Sequence, residues 1–390
     1  MPIPPKHNSR HIYHFTHLDN LPGLLKNGFL SVNEQKGQGV NHRSIASRNI
    51  QERRATTKVT CGPRGVVHDY VPLYLCKRTS MLLRVVNSKN CDQPLVIHFA
   101  FPIELIEKKD VVFTSAAANT GIPPTFYEDP NDLEHLTWGE IDSLSWKSAT
   151  ESLGQAKMAE VLVHRQLQLT EASHIVVWNE DIKKHVKKAF NDAGLKPPKI
   201  QWDAHHYYTK FAEGKPRESL VKGPIMIRRK FDEAKEALNA LGNASDPSFV
   251  NLQELRDTLD EGLDCTDATQ ELIGLKSNNL MHQDKTVEEH TLTVVRELRE
   301  LDEFEELESD ADRLLVEIAA YLHDVGKGPK ARWVKHDGVQ QVDPDHPVLG
   351  LPYVVKILTD DVETVSADEA TIILKLVCYH DLARIIHDAA

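Results

Sequence analysis

The chain has 390 residues, of which 41% are hydrophobic and 27% are charged, a composition that is ordinary for a soluble protein with buried cores. It has no apolar run of the roughly 20 residues that a membrane helix needs, and its start, MPIPPKHNSR, lacks the apolar stretch of a signal peptide, so we expect a cytoplasmic protein without a membrane partner. Five scattered cysteines exclude a disulfide framework, and a net charge of −12 argues against polyanion binding by the whole surface, although residues 43–64 form a local basic stretch.

The first half of the chain predicts short strands and helices in mixed order. HIYHFTH predicts a strand, and DNLPGLLKNGFL predicts a helix that ends at Gly28. Further β-rich runs between turn residues are VPLYL, PLVIHFAF, DVVFT, MAEVLVH and HIVVW. Because strands and helices do not alternate regularly, we expect an α+β domain over residues 1–212.

The second half predicts helices. Residues 213–250 begin as a polar stretch and then form a helical connector around 226–241. Beyond residue 251, apolar residues recur at i, i+3, i+4 and i+7 in LTVVRELREL, ADRLLVEIAAYLHDVG and ATIILKLVCYHDLARII. We therefore expect an all-α domain over residues 251–390.

Four motifs in the first half carry chemistry: YHFTH at 13–17, IQERRATTKV at 50–59, GVVHDYVPLYLCKRTSML at 65–82 and AKMAEVLV at 156–163. His14 and Thr16 point to the same face of a strand and can bond a ribose hydroxyl and a nicotinamide amide. Arg53 or Arg54 offers a guanidinium fork for a pyrophosphate. Such a set can hold a dinucleotide without a GxGxxG loop, which the sequence lacks.

Two further side chains complete this candidate site. Tyr74 can stack on a nicotinamide ring. Glu160 lies between apolar residues on a predicted strand, where its carboxylate can bond a ribose hydroxyl and stabilise an oxocarbenium-like transition state. The motifs thus predict cleavage of a glycosidic bond.

These motifs resemble the DarT family of DNA ADP-ribosyltransferases, toxins of toxin–antitoxin systems, over residues 10–210. The resemblance rests above all on the pattern HDYVPxYxxxRxxML. It implies NAD as donor, a base in single-stranded DNA as acceptor and an antitoxin protein as a partner. It also implies roles for seven residues: His14 and Thr16 at the nicotinamide, Arg54 or Arg53 at the phosphates and in catalysis, Tyr74 and Arg78 in the donor pocket, and Glu160 as the catalytic glutamate.

The chain departs from this family in one stretch. Many relatives carry a histidine in a TDGHA-like segment after the strand that here reads VVFT, whereas this chain has Thr114 to Ala118, with Ala117 among them. An alternative hypothesis is therefore a nucleotide or nucleic-acid phosphohydrolase whose first domain only binds NAD or nucleic acid.

Histidine and aspartate residues at helix ends mark a second candidate site. VEEHTLTVV contains His290, YLHDVGK contains His323 and Asp324, and CYHDL contains His380 and Asp381. Imidazole and carboxylate ligands suit Mn²⁺, Fe²⁺, Ni²⁺, Zn²⁺ or Co²⁺. Separate helices can bring such ligands together in the core of a bundle.

This order of motifs, centred on HDVGK, resembles the HD-domain phosphohydrolase superfamily over residues 280–390. The resemblance implies a metal-dependent phosphohydrolase. Because it is fused to the first domain, we expect this hydrolase to antagonise or complement the modification made there. The resemblance also implies a divalent metal held by His290, His323, Asp324 and Asp381. Two further candidate ligands are His346 and His380, and the lysine that faces a phosphate is Lys327.

Overall fold

The computed structural model describes residues 2–45, 48–118, 120, 123–145, 148–210, 217–242, 244–278 and 285–387, except for the side chains of residues 48 and 383–387. The chain divides into two compact units, residues 1–223 and 224–390. None of the described helices is long and apolar enough to cross a membrane. The first unit combines a sheet with helices and the second is mostly helical, which confirms the predicted α+β domain followed by a helical domain.

The described strands of the first unit form one large sheet and two small pairs. The large sheet has eight strands in the order β10-β9-β4-β1-β3-β7-β5-β6, and the pairs are β2-β8 and β11-β12. The strands are β1 His11–His17, β2 Phe29–Leu30, β3 Tyr70–Tyr74, β4 Val96–Pro102, β5 Val111–Thr114, β6 Phe126–Tyr127, β7 Glu160–His164, β8 Gln166–Leu167, β9 His174–Val176, β10 Lys199–Gln201, β11 Thr209–Lys210 and β12 Glu218–Ser219.

The middle of the large sheet opens between β1 and β3. Strand β1 pairs with β4 along seven residues, and β3 pairs with β7 along five. Between β1 and β3, however, the only paired residues are Tyr13 and Tyr74. Each of these strands is therefore fixed by its other neighbour, and a gap between them is available for a binding site.

Helix α7, Glu180–Asp192, begins at a polar cap and buries one apolar face. In EDIKKHVKKAFND, Ile182, Val186 and Phe190 recur every four residues and are buried, and Asn179 accepts a hydrogen bond from the Ile182 amide at 3.0 Å. The described α-helices of the first unit are α1 Leu21–Asn27, α2 Val32–Gly37, α3 Arg48–Thr56, α4 Ser80–Asn87, α5 Trp138–Ile141, α6 Glu151–Lys157 and α7 Glu180–Asp192.

The described part of the second unit contains eight α-helices and two short strand pairs. The helices are α8 Pro224–Ala237, α9 Leu252–Glu261, α10 Asp267–Gln270, α11 Val287–Arg299, α12 Asp302–Glu305, α13 Asp310–Leu322, α14 His346–Lys356 and α15 Ala367–His387. The sequence did not predict the parallel pairs, in which β13 Phe249–Asn251 joins β16 Val362–Thr364 and β14 Lys276–Ser277 joins β15 Val339–Gln340.

Gly326 allows α14 to approach the end of α13. A Cβ atom at Gly326 would lie 1.9 Å from the carbonyl oxygen of His346 and 2.5 Å from the amide nitrogen of Gly350. Because only glycine leaves room for this contact, the first residue of α14, His346, can lie beside the residues that follow α13, His323 and Asp324.

Candidate active sites

A buried ion pair joins helix α3 to strand β7. The Nη1 and Nη2 atoms of Arg54 donate to Oε1 and Oε2 of Glu160, both at 2.9 Å. The two side chains are only 8% and 2% exposed. Burial by itself lowers the pKa of Arg54, but the adjacent carboxylate outweighs it and the pKa is raised. Arg54 is therefore charged and holds the Glu160 carboxylate in one orientation.

The last residue of strand β5 and the segment that follows it also hold Glu160. The Glu160 amide donates to Oγ1 of Thr114 at 3.0 Å, and the Ala118 amide donates to Oε1 of Glu160 at 3.1 Å. The segment in which the expected histidine is replaced thus supplies a backbone donor to the carboxylate. Ala117 itself is buried in the core.

A cavity of about 360 Å³ occupies the gap between β1 and β3. Arg54 lines it, whereas Glu160 is not among the lining residues and joins the cavity through Arg54. Its wall mixes apolar side chains with polar ones, which are His14, Thr16, Gln35, Lys36, His42, Ser44, Gln51, Arg54, His68, Tyr70 and Tyr74. A pocket with apolar walls and a few converging polar groups is typical of a small-molecule site.

His14 is a neutral group in the cavity wall. Burial lowers its pKa to about 4, although the hydrogen bond to the Pro72 carbonyl opposes the shift. The Nδ1 atom lies 2.8 Å from that carbonyl oxygen, so it carries the proton and donates. The Nε2 atom is then left as an acceptor for a ligand.

Thr16 has a buried partner that the sequence analysis missed. The Nδ2 atom of Asn20 donates to Oγ1 of Thr16 at 2.9 Å and to the Arg43 carbonyl at 3.0 Å, and its Oδ1 atom accepts from the Arg43 amide at 2.8 Å. Asn20 therefore connects the Thr16 side of the cavity to the basic stretch 43–64. Asn20 lies four residues after Thr16 and directly before an apolar helix, a position that carries no sequence signal for a binding role.

A second missed pair lines the same cavity. Nε2 of His68 lies 3.1 Å from Oε1 of Gln51, and both residues belong to the wall. His68 lies in the HDYVP motif, and Gln51 is three residues before Arg54. One helical turn separates Gln51 from Arg54, so both face the cavity.

The remaining predicted residues of this site lie in different surroundings. Tyr74 lines the cavity and stacks on Phe15 at 5.7 Å between ring centroids. Arg53 is exposed. Arg78 lies outside this cavity and donates from Nη1 to the Tyr207 carbonyl at 3.3 Å. The structure thus brings together His14, Thr16, Arg54 and Tyr74, with Glu160 behind Arg54, but not Arg53 or Arg78.

In the second unit, three histidines converge on the carboxylate of Asp324. Its Oδ2 atom lies 3.2 Å from Nε2 of His323 and 3.7 Å from Nε2 of His290, and its Oδ1 atom lies 3.1 Å from Nε2 of His346. Burial alone would raise the pKa of Asp324, but His323, His346 and Lys327 hold it well below its usual range. The carboxylate is therefore ionised.

Backbone carbonyls orient the histidines of this cluster. The Nδ1 atoms of His323, His346 and His380 lie 2.6, 2.8 and 2.8 Å from the carbonyl oxygens of residues 320, 343 and 377. Each Nδ1 therefore donates its proton outward and leaves Nε2 toward the cluster, as in histidines that bind metals. The Nε2 atoms of His346 and His380 are only 3.0 Å apart. Two acceptors this close need a shared cation or proton.

The cluster fits a divalent metal. Two sets of side chains each have their ligand atoms within 4.8 Å of one another. One set is His290, His323 and Asp324, and the other is Asp324, His346 and His380. Oδ1 of Asp324 is buried and makes no well-aligned hydrogen bond within the described part of the chain. Lys327 bonds to Asp324 from Nζ, and Asp381 lies at the edge, 3.7 Å from Nε2 of His380. Imidazole and carboxylate donors of this kind suit first-row transition metals.

Family models match both units. Residues 13–209 match the model described as "ssDNA thymidine ADP-ribosyltransferase, DarT", and residues 287–388 match the HD domain. The first match covers half of the chain and contains every predicted residue of the first site. The second contains every predicted residue of the metal cluster.

Several relatives are similar to the first unit. The DNA ADP-ribosyl transferase of Thermus sp. (strain 2.9) is 32% identical over 181 residues, which cover 45% of this chain and 85% of that protein. The enzyme of Thermus aquaticus is 28% identical over 204 residues, which cover 51% of this chain and 89% of that protein. A solved structure of the Thermus sp. 2.9 protein with ADP-ribosylated single-stranded DNA aligns with a TM-score of 0.48 at 29% identity, over 53% of this chain and all of that one. The chain therefore belongs to the DarT family of ADP-ribosyltransferases, and it carries an HD domain after the DarT domain.

Proposed function

We propose that the first unit transfers ADP-ribose from NAD to a base in single-stranded DNA. One observation carries this proposal. A glutamate is held in a fixed orientation by a buried arginine that lines a cavity large enough for part of a dinucleotide. A domain that only binds NAD would have no need to bury this carboxylate, because burying a charged pair is costly.

In the proposed reaction, Glu160 bonds a hydroxyl of the nicotinamide-bearing ribose and stabilises positive charge at its anomeric carbon. The bond from that carbon to nicotinamide breaks, and the electron pair leaves with nicotinamide. A nucleophilic atom of the DNA base forms the new bond to the anomeric carbon and loses its proton to solvent. Arg54 orients Glu160, and His14, Thr16 and Tyr74 hold the nicotinamide side of the donor.

Charge supports a nucleic-acid acceptor for the first unit. Residues 1–223 contain 29 Lys and Arg against 23 Asp and Glu, whereas residues 224–390 contain 17 against 35. A net positive unit attracts a phosphate backbone. The family description names thymidine in single-stranded DNA, so thymidine is the base we propose for this chain.

Purified full-length protein would be incubated with labelled NAD and single-stranded oligonucleotides, each of which lacks one of the four bases, together with RNA versions. The proposal expects one ADP-ribose per modified DNA strand and none on the DNA that lacks thymidine. If the only unlabelled DNA is one that lacks a base other than thymidine, the proposed transfer stands but that other base is the acceptor. If no strand is labelled, the result supports the alternative that the domain only binds NAD or nucleic acid.

For the second unit we propose a metal-dependent phosphohydrolase. His290, His323, Asp324 and Asp381 would hold the ion, with His346 and His380 beside them. When bound, a divalent ion would activate water and stabilise charge on a phosphoryl oxygen. Lys327, which bonds to Asp324 by Nζ, is near enough to hold a phosphate of the substrate.

We further propose that this hydrolase antagonises a toxic transferase, because both activities lie on one chain. A variant with His323→Ala and Asp324→Ala should then accumulate more modified DNA in cells than the wild type, and cells should grow more slowly. Equal adduct levels in the two strains would instead favour a complementary role. The toxin assignment fails if expression of this variant leaves growth unaffected.

A further inference from the structure

A second cavity in the first unit, of about 410 Å³, lies at the other end of strands β1 and β3. The first cavity meets β1 at residues 14–16, whereas this one meets it at 11 and 13 and meets the chain after β3 at 75–78. Strand β9, residues 9 and 10, and the segments 141–144 and 201–206 complete the wall. We call it the histidine cavity, after His11, His174 and His206 in its lining.

A neutral polar atom without a hydrogen-bond partner faces the histidine cavity. His206 is 2% exposed, and its Nε2 atom has no partner among the residues that the structure describes. Leaving such an atom unsatisfied costs about 1–3 kcal/mol, so it bonds to solvent or to a ligand. Tyr13, which is 6% exposed, lines the same cavity beside His206.

The imidazole rings in the wall are uncharged. Burial lowers the pKa of His11, His174 and His206, and that of His174 to about 4. The His11 and His174 rings meet edge to face at 4.9 Å, as do the rings of Tyr13 and His206. The wall therefore offers flat aromatic surfaces with one donor and one acceptor on each imidazole.

Charged groups of both signs stand at the same cavity. Nζ of Lys77 lies 3.3 Å from Asp203, and Arg10 makes two bonds to Asp142, at 2.6 and 2.9 Å. The two carboxylates disfavour a bare dianion, and the polar lining disfavours an apolar ligand. In the described part of the chain, three-ligand metal clusters occur only in the HD domain, so a metal site is not indicated.

We propose that the histidine cavity binds one nucleotide unit. Its base would lie against the Tyr13 and imidazole rings, which every base can stack on, and would bond to Tyr13 and His206. Its phosphate would lie at Lys77, whose side chain is 45% exposed and paired only loosely. This site is additional to the donor cavity. The same contacts would recognise a free nucleotide and a nucleotide within a single strand.

Binding to the full-length protein, measured without NAD, tests the proposal independently of ADP-ribose transfer. The ligands are the four deoxynucleoside monophosphates, by calorimetry, and a fluorescent six-nucleotide single strand, by anisotropy. The variants are Tyr13→Phe, which removes one hydroxyl, and Lys77→Ala. The matched control is Lys187→Ala, because Lys187 is an exposed lysine of α7, outside the cavity.

Each cavity variant should weaken binding about five- to tenfold, the effect of losing one hydrogen bond, and Lys187→Ala should leave it unchanged. If the variants bind the monophosphates more weakly, the cavity is a site for free nucleotides. If they bind only the six-nucleotide strand more weakly, the cavity is a site for one nucleotide of that strand. Thermal unfolding of each variant verifies the fold. Equal affinities of wild type and Tyr13→Phe for both ligands, or no saturable binding of either by the wild type, would overturn the proposal.

Discussion

Arg53 and Arg54 are neighbours in sequence but have opposite surroundings, because helix α3 turns Arg54 toward Glu160 and leaves Arg53 in solvent. Arg54→Ala would leave the buried Glu160 carboxylate unpaired. We expect a loss of about 3 kcal/mol in the free energy of unfolding and a loss of more than a hundredfold in adduct formation. Arg54→Lys should recover little of the stability or of the adduct formation, because an ammonium group cannot make the bidentate contact.

The matched control is Arg53→Ala, which should change unfolding by less than about 0.5 kcal/mol, as exposed substitutions usually do. Urea unfolding and single-turnover adduct formation measure both effects. Similar results for the two alanine variants would mean that the ion pair has no role in orienting Glu160.

His14 should make the first unit less stable in acid. Its folded pKa of about 4 lies below its ordinary value of 6.5, so the unfolded chain binds more protons between these values. Stability contributed by the neutral ring is therefore complete above pH 6.5 and is lost as the pH falls toward 4. His14→Gln should flatten the dependence of unfolding free energy on pH in that window.

Tryptophan fluorescence can follow this unfolding, because four of the five tryptophans lie in residues 1–223. His185→Gln is the control, since His185 lies exposed on α7. Parallel curves for wild type and His14→Gln between pH 4 and 6.5 would show that His14 does not titrate in this way.

Among the elements, those with a clear local period were predictable. Strand β1 has the bounds of HIYHFTH, and the helix that follows ends before Gly28, whose φ of 70° suits glycine. The three helical runs predicted for the second half correspond to α11, α13 and α15. In each case the alternation or the 3.6-residue period is fixed by which face is buried.

Long-range pairing was not predictable from local patterns. Arg54 and Glu160 are 106 residues apart, and His346 and His380 are 34 apart. A single sequence indicates that such residues can bind a ligand, but only the packed chain determines which of them meet. The gap between β1 and β3 likewise depends on how the strands pair, and the role of Asn20 depends on the fold of residues 43–45.

The helix ends of the second unit should hold one divalent metal. Replacing His323 and Asp324 with alanine removes two ligands of one set, and Asp324 is also the ligand that both sets share, so the metal content of the purified protein should fall to near zero. The control is the double change Asp310→Ala and His336→Ala, which alters the same residue types at exposed positions. Elemental analysis after exposure to Mn²⁺, Ni²⁺ or Zn²⁺ measures the content. A wild type that stays metal-free would contradict the assignment.

Across the whole molecule, charge is divided between the units, with the positive excess in residues 1–223 and a large negative excess in 224–390. Binding of a single-stranded oligonucleotide should therefore weaken steadily as salt rises, because each phosphate contact releases a counterion. The logarithm of the affinity should fall with a slope of about −0.7 for each phosphate neutralised. Anisotropy titrations over a range of salt concentrations measure the slope. Affinity that does not depend on salt would show that phosphate contacts contribute little.

The most direct test of the central claim compares wild type with Glu160→Gln in the transfer of ADP-ribose from NAD to a thymidine-containing single strand. Glutamine keeps the size of Glu160 and its acceptor oxygen but removes the charge that stabilises the ribosyl cation. Mass spectrometry of the strand should show one added ADP-ribose with the wild type and none with the variant, while both proteins unfold cooperatively. Equal adduct formation by the two proteins would contradict the claim that Glu160 is the catalytic carboxylate.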